Sequence, residues 1–79
     1  MFYVYILRSQ RDKSSYVGIT ENIQKRLLEH NTGSAKYSSG KKPFILVWFC
    51  GFREETKAQL FEKYLKQGSG HAFARKHLL

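Results

Sequence analysis

Two tyrosines, an arginine, a histidine and one glutamate are the residues whose types and spacing could do chemistry. Tyr5 and Tyr16 each sit in the middle of a β-branched, aromatic run, Phe2 to Leu7 and Tyr16 to Thr20. A hairpin register that sets them directly opposite places both phenols on one sheet face, whereas a slip by one residue separates them. Arg26 and His30 are four apart in a segment with helical periodicity, so they stack on one side of it, at the rim of the seam made by Ile23 and Leu27. Glu62 follows Ala58 by one helical turn and adjoins Phe61, which puts this carboxylate near a buried seam, while Glu29 falls on the outer face of its helix and the other acids in loops or at helix ends. Each residue also has a plainer reading. Strand tyrosines are commonly packing residues with a wet hydroxyl, Arg26 and His30 fit a solvated arginine beside a capping histidine, and Glu62 with Lys66 fits a surface ion pair.

The elements that must position these groups follow from the apolar pattern. The polar stretch Ser9 to Ser14 is short enough for a hairpin, so the first two strands pair antiparallel. Glu21 to Asn31 reads as a helix capped by Thr20 or Asn22 and ending near Gly33. Thr32 to Lys42, rich in Gly, Ser and Lys, reads as an exposed loop closed by Pro43. Phe44 to Cys50 is nearly continuous in apolar residues, which predicts a strand covered on both faces at the core of the sheet. Ala58, Phe61 and Leu65 mark a second helix over Glu54 to Gln67, ended by Gly68-Ser69-Gly70. The basic segment His71 to Leu79 follows as a last helical turn or two, with Phe73 and Leu78 as its apolar contacts. The expected fold is α+β, a three-stranded antiparallel sheet flanked by helices in the order β-β-α-β-α-α, and residues 1–79 form a single domain.

Composition bounds the partners. The chain has 79 residues, 42% apolar and 15% aromatic, enough for one small core and one site. Fourteen Lys and Arg against six Asp and Glu give a net charge of +8, which attracts polyanions and points to nucleic acid. No expected helix is both basic and apolar enough to lie on a membrane, and no apolar run reaches the length of a span. The single cysteine, Cys50, excludes an internal disulfide and a paired-cysteine zinc site, and His30, His71 and His77 lack ligand spacing. A reducing, cytoplasmic location is expected. Within the Gly/Ser/Lys loop, Lys36, Lys41 and Lys42 could grip a nucleic-acid backbone, although the loop lacks the strand-loop-helix setting of a phosphate loop.

Taken together, Tyr3-Val4-Tyr5, Tyr16-Val17-Gly18, Arg26 with Leu27 and His30, and Glu62 within Lys57 to Lys63 resemble the GIY-YIG nuclease family in order and spacing, over nearly the whole chain. Each motif is short, and the four in register are fairly specific. The first motif has Tyr-Val-Tyr where the family name reads Gly-Ile-Tyr, and the second has Val where Ile is usual; both keep the strand and the tyrosine. The asparagine found downstream in several members has no counterpart after Glu62, where Gly68-Ser69-Gly70-His71 stands.

The resemblance implies a three-stranded sheet flanked by helices and a metal-dependent endonuclease acting on DNA ahead of RNA. It implies Tyr5, Tyr16, Arg26, His30 and Glu62 as catalytic residues, with Glu62 binding one Mg2+ or Mn2+ ion and Arg26 also gripping the phosphate. Magnesium suits a lone carboxylate because it keeps waters and substrate oxygens as its other ligands. A phenol of pKa about 10 can act as a base near neutrality only beside positive charge, and Arg26, His30 and the metal are the expected sources. Sequence specificity would be low, or supplied by a partner protein. The alternative is a nucleic-acid-binding module that keeps the fold with weak or no cleavage. A protein-interaction module using the aromatic sheet face is a third reading.

Overall fold

The computed structural model describes residues 1–32 and 39–79; Gly33 and Lys36, named above as a helix end and a phosphate contact, lie outside the described residues. The elements are β1 (Phe2–Ser9), β2 (Ser15–Thr20), α1 (Ile23–Thr32), a 3-10 turn (Ser39–Lys41), β3 (Phe44–Phe52), α2 (Glu55–Lys66) and α3 (Gly68–His77). The strands form one antiparallel sheet in the order β2-β1-β3.

Strand alternation divides the side chains between two layers. Val4 and Ile6 of β1 point to the face covered by α2 and α3, where they join buried Ala58, Leu65 and Ala74. Tyr5 and Leu7 point the other way and pack with Phe44, Tyr16, Leu27 of α1 and Leu46. All four residues from Val4 to Leu7 are at most 2% exposed, so β1 is the strand buried on both faces. The expectation had given that place to Phe44 to Cys50. Instead β3 is an edge, with Ile45 44% and Phe49 51% exposed. An unbroken apolar run identifies a strand, but the position in the sheet is decided by which neighbours pair with it, and β1 takes both.

Local chemistry sets the element ends. Asn22 caps α1 by accepting a hydrogen bond from the Lys25 amide at 3.0 Å. Asn31 ties the end of α1 to the start of β3, its side chain donating to the Phe44 carbonyl at 3.1 Å and accepting from the Phe44 amide. The β1–β2 connection is ordered around buried Ser9, whose hydroxyl accepts from the amides of Arg11 and Asp12 at 3.1 and 3.2 Å. The Asp12 carboxylate accepts from the Ser14 hydroxyl and amide at 2.6 and 2.9 Å, which hold it below the usual carboxylate range.

Helix α2 ends at Lys66, where the expected stop Gly68-Ser69-Gly70 is about to begin, but that stop is itself helical. It is the first turn of α3, a ten-residue helix rather than a turn or two. Gly70 is buried where α3 leaves α2, and a Cβ there would run into the Tyr64 carbonyl and sit 3.0 Å from the Leu65 Cα, so the missing side chain is what lets the helices meet. The helix is anchored by Ala74 and Leu78; Phe73, the other expected apolar contact, is 39% exposed and lies against Tyr64 and His77. No helix among the described residues is long and apolar enough to cross a membrane.

Candidate active site

The β1–β2 register pairs Tyr5 with Gly18 and Tyr16 with Leu7, so the two tyrosines are diagonal neighbours, two residues away from the directly opposed register. A shift by two preserves the facing, and both rings lie on the α1 side, their centroids 6.4 Å apart. Gly18 explains how a tyrosine fits here. A Cβ at that position would fall 2.6 Å from the Tyr5 Cζ, so glycine leaves the phenol room to lie over β2 towards the sheet edge.

Helix α1 brings two groups to the Tyr5 oxygen. The Arg26 Nε–H donates to it at 3.4 Å, and the His30 Nε2 lies 3.3 Å away. His30 is 1% exposed, with Tyr16 and Phe44 edge-on at centroid distances of 4.7 and 5.6 Å. The Arg26 Nη1 donates to the Glu29 Oε1 at 3.0 Å. Glu29 is therefore half-buried beside the site rather than on the outer helix face, because its spacing of three from Arg26 places it over the same rim.

Of the three expected sources of positive charge for a Tyr5 phenolate, Arg26, His30 and the metal, the electrostatics bear on the first two. Burial raises the Tyr5 pKa above 10.0, an effect the Arg26 hydrogen bond offsets only in part. Burial also lowers the His30 pKa below 6.5, and the Arg26 charge lowers it further. Near neutrality the phenol is protonated and the imidazole uncharged, so His30 is no source of positive charge for Tyr5. Arg26 stays ionised, held so by its hydrogen bonds to Tyr5 and Glu29.

Glu62 comes from the opposite layer. On α2, Glu62 follows buried Ala58 by one turn, and its neighbour Phe61 packs on Trp48 and Phe52 of β3. The Glu62 side chain is 18% exposed and accepts from the Lys66 Nζ at 3.3 Å. Its charge reaches Tyr5 and disfavours the phenolate.

Among the described residues no three His, Cys, Asp or Glu side chains cluster as a ready-made metal cage. A part-buried lone carboxylate suits a hard cation whose other ligands are water and substrate oxygens, and does not suit zinc. Of the expected backbone contacts, Lys41 is 52% exposed and pairs with Asp12 at 3.5 Å, and Lys42 is exposed beside it. Sequence reasoning missed Glu29, Gly18 and Phe44. For Gly18 the signal was a glycine inside a strand; for Glu29 it was the spacing to Arg26; Phe44 gave none, since its contact with His30 depends on the pairing of β3 with β1.

A family model described as the GIY-YIG catalytic domain matches residues 1–76. A UPF0213 protein of Clostridium perfringens is 46% identical over 68 residues, covering 85% of this chain and 72% of that protein. One from Vibrio campbellii is 35% identical over 65 residues, covering 81% of this chain and 62% of that one. The solution NMR structure of a UPF0213 protein from Bacillus halodurans superposes with a TM-score of 0.58 at 35% identity, over 95% of this chain and 81% of that one.

Proposed function

Since the chain belongs to the GIY-YIG catalytic-domain family, a family of nucleases acting on nucleic acid, we propose that it is a metal-dependent endonuclease that hydrolyses phosphodiester bonds, in DNA ahead of RNA. The observation that carries this is the meeting of Arg26 and His30 on the Tyr5 oxygen at 3.4 and 3.3 Å, with the Glu62 charge bearing on the same phenol. A binder needs cations and aromatics but has no use for a carboxylate there, because it repels phosphate unless a metal intervenes.

The chain's own groups divide the work. Arg26 clamps the phosphate oxygens with its planar fork, exchanging Glu29 for substrate. Tyr5 and Tyr16 hydrogen-bond the phosphate or the attacking water. With the His30 proton on Nδ1, its Nε2 accepts from the Tyr5 hydroxyl, and the phenol can pass a proton taken from water to that nitrogen. Glu62 would hold Mg2+ or Mn2+, which when bound neutralises charge building up on the phosphate and leaving oxygen. Because the clamp reads phosphate rather than bases, intrinsic sequence preference is low, and a partner protein is the source of any strong specificity.

A binding module without turnover is favoured by two observations: the resting phenol is held protonated, and Glu62 is paired with Lys66. Incubating the protein with DNA and RNA substrates, with and without magnesium or manganese, separates the two. Cleavage that needs the metal and is lost in Glu62→Ala and Tyr5→Phe supports the nuclease. Salt-sensitive binding with no cutting under either metal selects the module.

A further inference from the structure

On the sheet face opposite Tyr5 and Tyr16, a cleft of about 590 Å³ opens between the β1–β2 hairpin and α3, lined by Arg8, Lys13, Ser14, Ser15, His71, Arg75 and apolar Leu79. Strand alternation puts Arg8 on the same side as Val4 and Ile6, and Ser15 is its cross-strand partner. His71 and Arg75 are one turn apart on α3 and face the hairpin across the cleft. Lys13 is presented from a fixed turn, with φ 66° and its amide donating to the Ser9 carbonyl at 3.0 Å.

No acidic side chain lines the cleft, although Asp12 accepts from the hydroxyl of Ser14, which does. Of the six in the chain, Asp12, Glu29, Glu54 and Glu62 are paired with Lys41, Arg26, Lys57 and Lys66. Glu21 and Glu55 line a separate depression with Phe2 and Ile19. No ion pair among the described residues involves Arg8, Lys13, His71 or Arg75. Three fixed cations and a histidine therefore share the cleft with the Ser15 hydroxyl, while the Ser14 hydroxyl is held by the Asp12 carboxylate, whose charge Lys41 offsets; the positive excess attracts phosphate.

We infer that this cleft is a second phosphate-binding site, holding backbone phosphate of the nucleic-acid strand whose scissile bond lies at Tyr5. The inference rests on the nuclease reading for the identity of the polyanion. Ser15 of the cleft and Tyr16 of the active site are consecutive in β2 and point to opposite faces, so a strand passing round the β2 edge meets both. Anchoring there would fix which phosphate reaches Arg26.

The test uses a single-stranded oligonucleotide in EDTA, so that binding is read without cleavage. Affinity is measured by fluorescence anisotropy over a salt series for the wild type, for Arg8→Gln/Lys13→Gln/Arg75→Gln, and for a control of equal charge change on the outer surface, Arg53→Gln/Lys57→Gln/Lys63→Gln. The cleft variant is expected to lose about two of the slope of log affinity against log salt, roughly 0.7 per lost phosphate contact, and the control far less. On the wild type, oligonucleotide should move the amide resonances of Ser15, His71 and Arg75, while inorganic phosphate at equal phosphate concentration moves them much less. Equal losses in both variants, or resonance shifts confined to the Tyr16, Arg26 and His30 region, would overturn the inference, as would absence of binding by the wild type. The metal-dependent cleavage assay judges the nuclease reading separately.

Discussion

At the scale of single residues, the site combines two opposed protonation states that can be measured. His30 is buried and its pKa in the folded protein lies below 6.5. Between that depressed value and 6.5 the unfolded chain binds more protons than the folded one, so stability is full above about pH 6.5 and falls as pH drops through this window. Thermal unfolding from pH 7.5 to 5 should show the melting temperature falling, and His30→Gln should flatten the fall; an unchanged profile in the variant refutes the assignment. Tyr5 shifts the other way, so ultraviolet titration should show an ionisation above pH 10 that vanishes in Tyr5→Phe. In a catalytic assay the same variant should lose about two to four orders of magnitude in kcat, the usual share of a positioned proton-transfer group. Glu29 adds a prediction of opposite sign. It occupies Arg26 Nη1 at 3.0 Å, so if Arg26 is the phosphate clamp we propose, Glu29→Gln should tighten nucleic-acid binding, by several-fold if the exchange costs about 1 kcal/mol. Weaker binding in that variant would mean that Glu29 orients the arginine instead.

Elements succeed or fail at holding those residues by small margins, and Gly18 shows it most clearly. Adding one methyl there puts a carbon 2.6 Å from the Tyr5 Cζ and 3.0 Å from its Cε1, with the ring boxed in by His30 and Tyr16. Gly18→Ala should cost about 1–3 kcal/mol in denaturant unfolding, as overpacking does, and should displace the phenol from Arg26. A variant with wild-type stability would show that the β2 edge yields freely. The strands, the helices and their order were readable because their apolar periods are local properties of consecutive residues. Facing also survived: Tyr5 and Tyr16 share a side despite a register two residues from the directly opposed one, since a step of two leaves parity unchanged. What was not readable depended on partners distant in sequence. The apolar run in β3 could not reveal an edge strand, Phe73 could not reveal that Ala74 would take the buried place, and the glycines before His71, which do follow the end of α2, could not reveal that they open α3 with Gly70 as the contact point between the helices. The two pKa directions were hidden for the same reason, since burial of Tyr5 and His30 comes from packing across the sheet.

The whole molecule spans 29 × 26 × 17 Å and carries a formal charge of +8, so its surfaces are never far from net positive potential. That charge has a role beyond attracting polyanions. The outer edge of β3 is nine residues long, contains no charged residue, and leaves Ile45 and Phe49 44% and 51% exposed. Unprotected edges of this kind pair with other chains, and natural proteins commonly guard them with lysine or proline in the strand. Here the guard is global: repulsion between two molecules of charge +8 acts over a Debye length of about 8 Å at physiological salt but only about 3 Å at 1 M. Light scattering at fixed protein concentration should therefore show monomers at low salt and association as salt rises, the reverse of the nucleic-acid affinity, which falls along the same series. Phe49→Lys places a charge on the edge itself, at the cross-strand partner of Tyr5, and should keep the protein monomeric throughout. If the wild type stays monomeric at 1 M salt, the edge is protected by its twist or its side chains, and the charge serves the polyanion alone.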